Sequence, residues 1–163
     1  MLVTRGEWVL LAYRIPREPS SPRIAVWRKL ERLGVARLGD GLVALPADAR
    51  TREQVDWIAD EVIEAGGTAS VWLSRPASAA QEREIAATMQ HARVAEYRSI
   101  VDQAAAAANV DERERGRLLR SLRGEMRRIA RRDYFPPAER DRARTAVESL
   151  AASGADAFRE VRP

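Results

Sequence analysis

The segment between residues 13 and 23 is rich in arginine and proline, and these residue types suit anion binding. Arg14, Arg17 and Arg23 lie close together in the sequence, and three prolines separate them. A guanidinium group is planar and donates hydrogen bonds as a fork, which matches phosphate or carboxylate oxygens. The prolines stiffen the loop and lower the ordering cost of binding. The segment is therefore a candidate oxyanion or phosphate site. Alternatively, it is a rigid turn in which Arg17 pairs with Glu18.

A second set of arginines recurs at helical spacing in the C-terminal half of the chain. Its members are Arg113, Arg117, Arg120, Arg127 and Arg131. At a rise of 1.5 Å per residue this row is about 27 Å long, which spans several phosphates of a duplex. We therefore expect the row to contact a DNA backbone. The alternative is a solvated helix face that Glu114 and Glu125 partly neutralise.

A third basic group is predicted on the helix that follows the arginine-rich loop. Ser20, Ser21 and Pro22 predict the start of this helix, and Gly34 predicts its end. Its apolar face is expected to carry Val26, Trp27, Leu30 and Leu33. Its opposite face carries Arg28, Lys29 and Arg32. This basic face is expected to engage phosphates beside the loop arginines.

Composition limits the chemistry that the chain can perform. The 163 residues contain no cysteine and one histidine, His91, so no metal site or cofactor site is predicted. The sequence contains no glycine-rich phosphate loop and no paired nucleophile and base. The formal net charge is +4, and Lys29 is the only lysine among 28 basic residues. We expect a protein that binds an anionic partner, not an enzyme.

The N-terminal part predicts alternating strands and helices. Strands are expected over residues 8–13, 35–38, 42–45 and 68–73, with helices over about 20–33 and from the capping box Thr51–Gln54 to Gly66. This order, βαββαβ, is that of a ferredoxin-like domain. Core packing is expected to explain most of the four tryptophans. Trp57 is the exception, since it falls on the acidic side of its helix and marks a surface residue or a subunit contact.

The remainder predicts three helices. Ser78 and Asp111 are expected to cap the first two, and Pro136 and Pro137 precede a last helix from about Ala138 to Ser153. On the second helix, Leu118, Leu119, Leu122, Met126, Ile129 and Ala130 share the apolar side. The predicted fold class is α+β, with a ferredoxin-like domain over residues 1–75 and a helical extension over residues 76–163.

The chain resembles the N-terminal domain of the ChrB family of bacterial chromate-resistance regulators. The segments that carry the likeness are Tyr13–Leu30, Leu33–Gly34, Leu45–Pro46, Arg52–Gln54, Glu64–Gly67, Glu96–Tyr97 and Arg132–Phe135. The resemblance implies transcriptional regulation of a chromate-efflux operon, through DNA binding that chromate relieves. A more distant likeness to the small nuclease-fold proteins of CRISPR systems does not extend to their chemistry. Those proteins have an acidic residue where this chain has Arg14, and a guanidinium cannot hold Mg²⁺.

The resemblance also sets the expected partners. Full-length ChrB proteins carry a C-terminal domain beyond the matched part, so this chain is expected to bind DNA without sensing or to work with a separate sensor protein. We expect a homodimer, since regulators commonly pair two half-sites.

The N-terminus lacks the features of a signal peptide, which predicts a cytoplasmic protein with no membrane association. The alternative function is an oxyanion sensor for chromate or sulfate, or a protein-interaction module.

Overall fold

The computed structural model describes residues 6–160, with side-chain surroundings through Ser153. The described chain forms four strands and five helices. In chain order they are β1 (Trp8–Arg14), α1 (Ser20–Leu33), β2 (Ala36–Gly39), β3 (Leu42–Pro46), α2 (Ala49–Glu64), β4 (Thr68–Ser74), α3 (Ala79–Ala106), α4 (Glu112–Ala130) and α5 (Ala138–Glu160). The fold is therefore mixed α/β, and the predicted order of elements is confirmed through β4.

The four strands form one antiparallel sheet in the order β2-β3-β1-β4. The central strand β1 pairs with β3, where Leu11 lies opposite Val43, and with β4, where Leu11 lies opposite Val71. Successive side chains of a strand point to opposite faces of a sheet. Val9 and Leu11 are fully buried, as expected for the centre of a core. The apolar run at β1 is therefore a central strand, as its composition predicts.

Trp8 precedes Val9 on β1, so its side chain lies on the opposite face of the sheet, and it is also buried. Its indole Nε1 donates a hydrogen bond to Glu82 Oε1 over 3.0 Å, and the backbone N–H of Gly6 donates to the same oxygen over 2.9 Å. Glu82 lies in the first turn of α3. The start of α3 is therefore tied to the first strand.

The described residues divide into two compact units, one ending at Met89 and the other beginning at Gln90. The second unit has a core of its own. Its buried residues are Tyr97, Ile100, Ala104, Ala107, Leu122, Ile129, Ala143, Val147 and Leu150. The domain boundary expected after residue 75 remains a prediction.

Two N-terminal caps differ from those that the sequence predicts. Helix α1 has Pro19 at its N-cap and no side-chain cap, so Ser20 and Ser21 lie inside the helix. Helix α2 begins at Ala49, because Asp48 and not Thr51 is its N-cap. The Asp48 carboxylate accepts from Thr51 N over 2.7 Å, and the Thr51 hydroxyl accepts from Asp48 N over 2.9 Å. Asp48 and Thr51 thus form a reciprocal capping box, which is why α2 begins earlier than Thr51.

Three other expectations also need correction. Of the four tryptophans only Trp8 is buried, while Trp27, Trp57 and Trp72 are each 47% exposed or more. Ala130 ends α4 and is exposed, because it lies about 100° around the helix from the buried Ile129, at the edge of the apolar side. Helix α5 continues to Glu160, beyond the predicted end at Ser153. The caps at Asp111 and Ser78 are confirmed, since Asp111 accepts from Glu114 N and Ser78 accepts from Gln81 N.

No helix among residues 6–160 is long and apolar enough to cross a membrane. The N-terminal residues from which the lack of a signal peptide is predicted lie largely outside the described part of the chain.

Candidate anion-binding groove and arginine stripe

The carboxyl end of β1 is held between two glycines from distant parts of the sheet unit. Tyr13 N donates to Gly41 O over 2.8 Å. A Cβ atom at Gly41 would lie 2.3 Å from Tyr13 O, and a Cβ at Gly67 would lie 2.2 Å from Arg14 O. Real Cβ atoms do not approach a carbonyl oxygen so closely, so both positions require glycine. These contacts fix the point from which the arginine-rich loop departs.

The loop opens onto a groove of about 860 Å³ in the first unit. Arg14, Arg17 and Arg23 all line it, so the structure brings the three predicted loop arginines together. All three are exposed, and none forms an ion pair within residues 6–160. The predicted pairing of Arg17 with Glu18 is therefore absent there. The lining also includes Arg37 and a single acidic residue, Asp40. The groove is strongly cationic.

Arg37 is a groove residue that the sequence interpretation misses. It lies on β2, and its Nη2 donates to Glu31 Oε1 over 2.7 Å. Its guanidinium carbon lies 5.8 Å from the centroid of the Trp27 ring, within the range of a cation–π interaction. No local spacing marks Arg37, because it joins the groove only when β2 lies beside α1.

The basic face predicted on α1 is divided by the packing of the two helices. Lys29 is partly buried and forms an ion pair with Glu61 on α2. Arg28 and Arg32 are exposed and form no ion pair in the described part of the chain. Neither of them lines the groove. Lys29 therefore contributes to the α1–α2 contact, while Arg28 and Arg32 remain separate surface charges.

The second unit presents an arginine stripe along α4. We use this name for Arg113, Arg117, Arg120, Arg127 and Arg131, all of which are exposed. Since α4 turns about 100° per residue, the stripe lies opposite the buried Leu122. Arg113, Arg117 and Arg120 surround Gly116 in a shallow depression of about 540 Å³. The predicted clustering of these arginines on one side of a helix is confirmed.

Four arginines of the stripe form no direct ion pair in the described part of the chain. Within residues 6–160, neither Glu114 nor Glu125 forms an ion pair, and none of Arg113, Arg117, Arg120 and Arg127 does so. Other arginines of the same unit are paired. For example, Arg98 Nη2 lies 3.1 Å from Glu139 Oε1. The alternative, a solvated face that Glu114 and Glu125 partly neutralise, therefore does not rest on direct ion pairs within residues 6–160, and it stays an alternative.

A buried polar network in the second unit joins α3 to the end of α4. Tyr97 is fully buried, and its hydroxyl donates to Asp133 Oδ2 over 2.7 Å. Burial raises the pKa of Tyr97 well above its usual value, and the bond to Asp133 adds to the effect. Arg132 bonds to Glu96, and Arg93 Nε lies 3.3 Å from the other oxygen of Glu96. The network ties the carboxyl end of α4 to α3.

The sequence interpretation assigns this network no role. Its signal is nevertheless present, because Glu96–Tyr97 and Arg132–Asp133 are among the segments quoted for the family resemblance. The structure pairs Glu96 with Arg132 and Tyr97 with Asp133 across 36 residues of sequence. His91, in contrast, is exposed on α3.

The fold and these surfaces define a basic mixed α/β protein with two arginine-rich sites, one in each unit. The family model described as "Protein ChrB, N-terminal" matches residues 23–114, which is more than half of the chain. The chain therefore belongs to the ChrB N-terminal family. It is 27% identical over 133 residues to Protein ChrB of Cupriavidus metallidurans. The match covers 79% of this chain and 40% of that relative, so the chain spans about two fifths of its length. No solved structure matches the chain.

Proposed function

We propose that this chain is a DNA-binding transcription regulator linked to chromate resistance, and that it contacts the DNA backbone through the arginine stripe. The observation that carries the proposal is the exposure of five arginines on one side of α4, opposite a buried apolar side. Four of them, Arg113, Arg117, Arg120 and Arg127, form no ion pair in the described part of the chain, and such guanidinium groups neutralise phosphates and release their counterions. Membership of the ChrB family supports the regulatory role.

The proposal includes a ferredoxin-like first unit, which the antiparallel order β2-β3-β1-β4 supports. It also includes action as a cytoplasmic homodimer without catalysis. Exposed Trp57 on α2 is a candidate for the subunit contact. Arg28 and Arg32 on α1 are candidates for additional phosphate contacts. These parts of the proposal concern assembly, whereas the arginine stripe concerns the binding of DNA.

Fluorescence anisotropy of a labelled duplex from the region upstream of the gene tests the proposal. Affinity measured over a salt series should fall linearly on a logarithmic plot, with a slope of about −0.9 for each phosphate neutralised. Arg117→Ala combined with Arg120→Ala should weaken binding and make the slope less steep by about 2. Both side chains are exposed, so the melting temperature should stay near that of the wild type.

The matched control is Arg142→Ala combined with Arg144→Ala, which likewise removes two positive charges, here from exposed positions on α5. This variant should bind the duplex with nearly the wild-type salt slope. A wild-type affinity that does not change with salt would contradict the proposed function. An equal loss in the α4 and α5 variants would show that net charge, not the stripe, governs binding.

A second candidate function is oxyanion sensing, and the convergence of Arg14, Arg17 and Arg23 on one groove favours it. A ligand that binds only the folded state raises the melting temperature. Chromate or sulfate should then stabilise the protein more than chloride does at matched ionic strength. Arg17→Ala should abolish that difference. Equal melting temperatures in the three salts would remove this candidate.

A further inference from the structure

The groove in the first unit has an aromatic and apolar wall that backbone phosphates do not need. Trp27 and Ile24 line it and are 47% and 43% exposed. Leu38, also exposed, lies on the same lining. A contiguous exposed apolar patch that is rimmed by polar residues marks a ligand-binding groove or another interaction site. The lining therefore combines a cationic part with an apolar part.

The size of the groove distinguishes between classes of anion. Its volume of about 860 Å³ lies within the range of about 300–1,000 Å³ that is typical of pockets for organic ligands. A tetrahedral oxyanion fills only a small part of such a space, and it makes no use of an aromatic wall. An anion with a flat apolar body matches both parts of the lining.

Arg37 and Trp27 form a prearranged cation–aromatic pair in the groove. Glu31 holds the guanidinium of Arg37, which lies over the Trp27 ring. Tryptophan rings and arginine planes are the groups on which proteins stack nucleobases. Glu31 already restricts the side chain of Arg37, so binding a ligand does not incur the entropic cost of ordering it.

We propose that this groove binds an unpaired nucleotide, with its base stacked on Trp27 and its phosphate held by Arg14, Arg17 and Arg23. The proposal rests on the proposed function for the source of the nucleotide, which is a single-stranded or unstacked segment of the bound DNA. A free mononucleotide has the same chemistry. The two sources are therefore compared directly in the test.

The test follows the four indole N–H signals of the full chain by two-dimensional nitrogen–proton NMR. The signals are assigned with single tryptophan variants. A short oligo-thymidylate should shift the Trp27 signal in a saturable way, while the exposed Trp57 and Trp72 serve as internal controls. Thymidine monophosphate should shift the same signal with lower affinity. Sodium sulfate at matched ionic strength should not reproduce the shift.

Two variants test the two halves of the site. Trp27→Leu should weaken oligonucleotide binding about tenfold, because it removes the stacking surface. Arg17→Ala combined with Arg23→Ala should weaken it by a similar factor. Arg83→Ala, which removes an exposed charge of α3 outside the groove, should leave the affinity unchanged. The remaining indole signals report whether each variant is folded.

The outcomes separate this inference from the proposed function. A Trp27 signal that neither oligonucleotide nor nucleotide moves would overturn the inference, as would sulfate binding as tight as that of the nucleotide. Tighter binding of the mononucleotide than of the oligonucleotide would support the chemistry of the groove and overturn DNA as the source. The Arg117→Ala and Arg120→Ala variant should lose duplex binding and keep the response to thymidine monophosphate. Loss of both responses would contradict a separate groove site.

Discussion

The hydroxyl of Tyr97 lies in the buried core of the second unit and has one partner, Asp133. The other carboxylate oxygen of Asp133 is buried and accepts no hydrogen bond from any described residue. Among residues 6–160, Tyr97 is therefore the side chain that donates a hydrogen bond to this carboxylate. Removing the donor of a buried acceptor lowers the free energy of unfolding by more than an average hydrogen bond contributes to it.

We expect Tyr97→Phe to lower the free energy of unfolding by about 1–3 kcal/mol at neutral pH, because Asp133 loses its donor. The raised pKa of Tyr97 also predicts a pH dependence. The protonated phenol of Tyr97 contributes to the stability of the folded state. This contribution is fully present below pH 10.0, the usual pKa of tyrosine, and it is lost as the pH rises through the higher pKa of Tyr97 in the folded protein. The wild type should therefore lose stability above pH 10 more steeply than the variant. Urea unfolding at neutral and alkaline pH measures both effects.

The control for this substitution is Tyr13→Phe. Tyr13 is partly exposed, and its hydroxyl makes no hydrogen bond with the described residues. This variant should keep the wild-type stability at neutral pH. Equal losses in the two variants would contradict the role assigned to the pair of Tyr97 and Asp133.

Basic residues of similar sequence context have different roles in the structure. Lys29 lies next to Arg28, yet only Lys29 pairs with an acidic residue of α2. Arg37 is bound to Glu31 and still lines the groove. Sequence alone treats these side chains as equivalent cations. Their differences arise from which neighbours the fold supplies.

At the scale of elements, glycine positions connect the sheet to the loop that leaves it. The turn Gly39–Gly41 predicts the β2–β3 hairpin, and the structure confirms it. Within that turn the two glycines differ. Gly41 has φ of 69° and touches the backbone of β1, whereas an added Cβ at Gly39 meets nothing within 4 Å. Gly67, after α2, contacts the same strand end.

We expect Gly67→Ala to lower the free energy of unfolding by about 1–3 kcal/mol, because its Cβ would overlap Arg14 O and Val62. Gly39→Ala is the matched control and should change stability by less than about 0.5 kcal/mol. Chemical denaturation followed by tryptophan fluorescence measures both. Comparable losses at the two glycines would show that their different surroundings do not matter.

Helix boundaries depend on the same kind of local detail. Asp111 and Ser78 are found at their predicted caps, since each accepts from the backbone N–H three residues later. At α2 the sequence predicts a capping box that begins at Thr51, but Asp48, three residues earlier, is the N-cap. The Thr51 hydroxyl also donates to Pro46 O over 2.7 Å, which holds it inside the helix. That choice depends on where β3 ends, and no helical pattern contains this information.

At the scale of the whole molecule, the first compact unit extends beyond the composition change at Pro76. The change from glycine-containing strands to alanine-rich helix predicts a boundary after residue 75. Glu82 nevertheless bonds to Trp8 and Gly6. Because α3 continues from one unit into the other, the two units share one helix.

We expect a fragment of residues 1–89 to melt at a higher temperature than a fragment of residues 1–75. The shorter fragment lacks Glu82 and exposes Trp8. Each kcal/mol lost should lower the melting temperature of a unit of this size by about 4–8 °C. Circular dichroism gives the melting temperatures, and a red-shifted fluorescence maximum would report exposure of Trp8. Identical melting of the two fragments would instead favour the boundary after residue 75.

The sequence by itself determined the order of strands and helices, the caps at Ser78 and Asp111, and the amphipathic character of α4. These features depend on residues within one or two turns of each other, where periodicity and capping act. Only the tertiary structure decided that Arg37 joins the loop arginines, that Lys29 pairs with Glu61, and that Tyr97 bonds to Asp133. Each of these contacts joins residues that lie on different elements, so its geometry depends on how those elements pack.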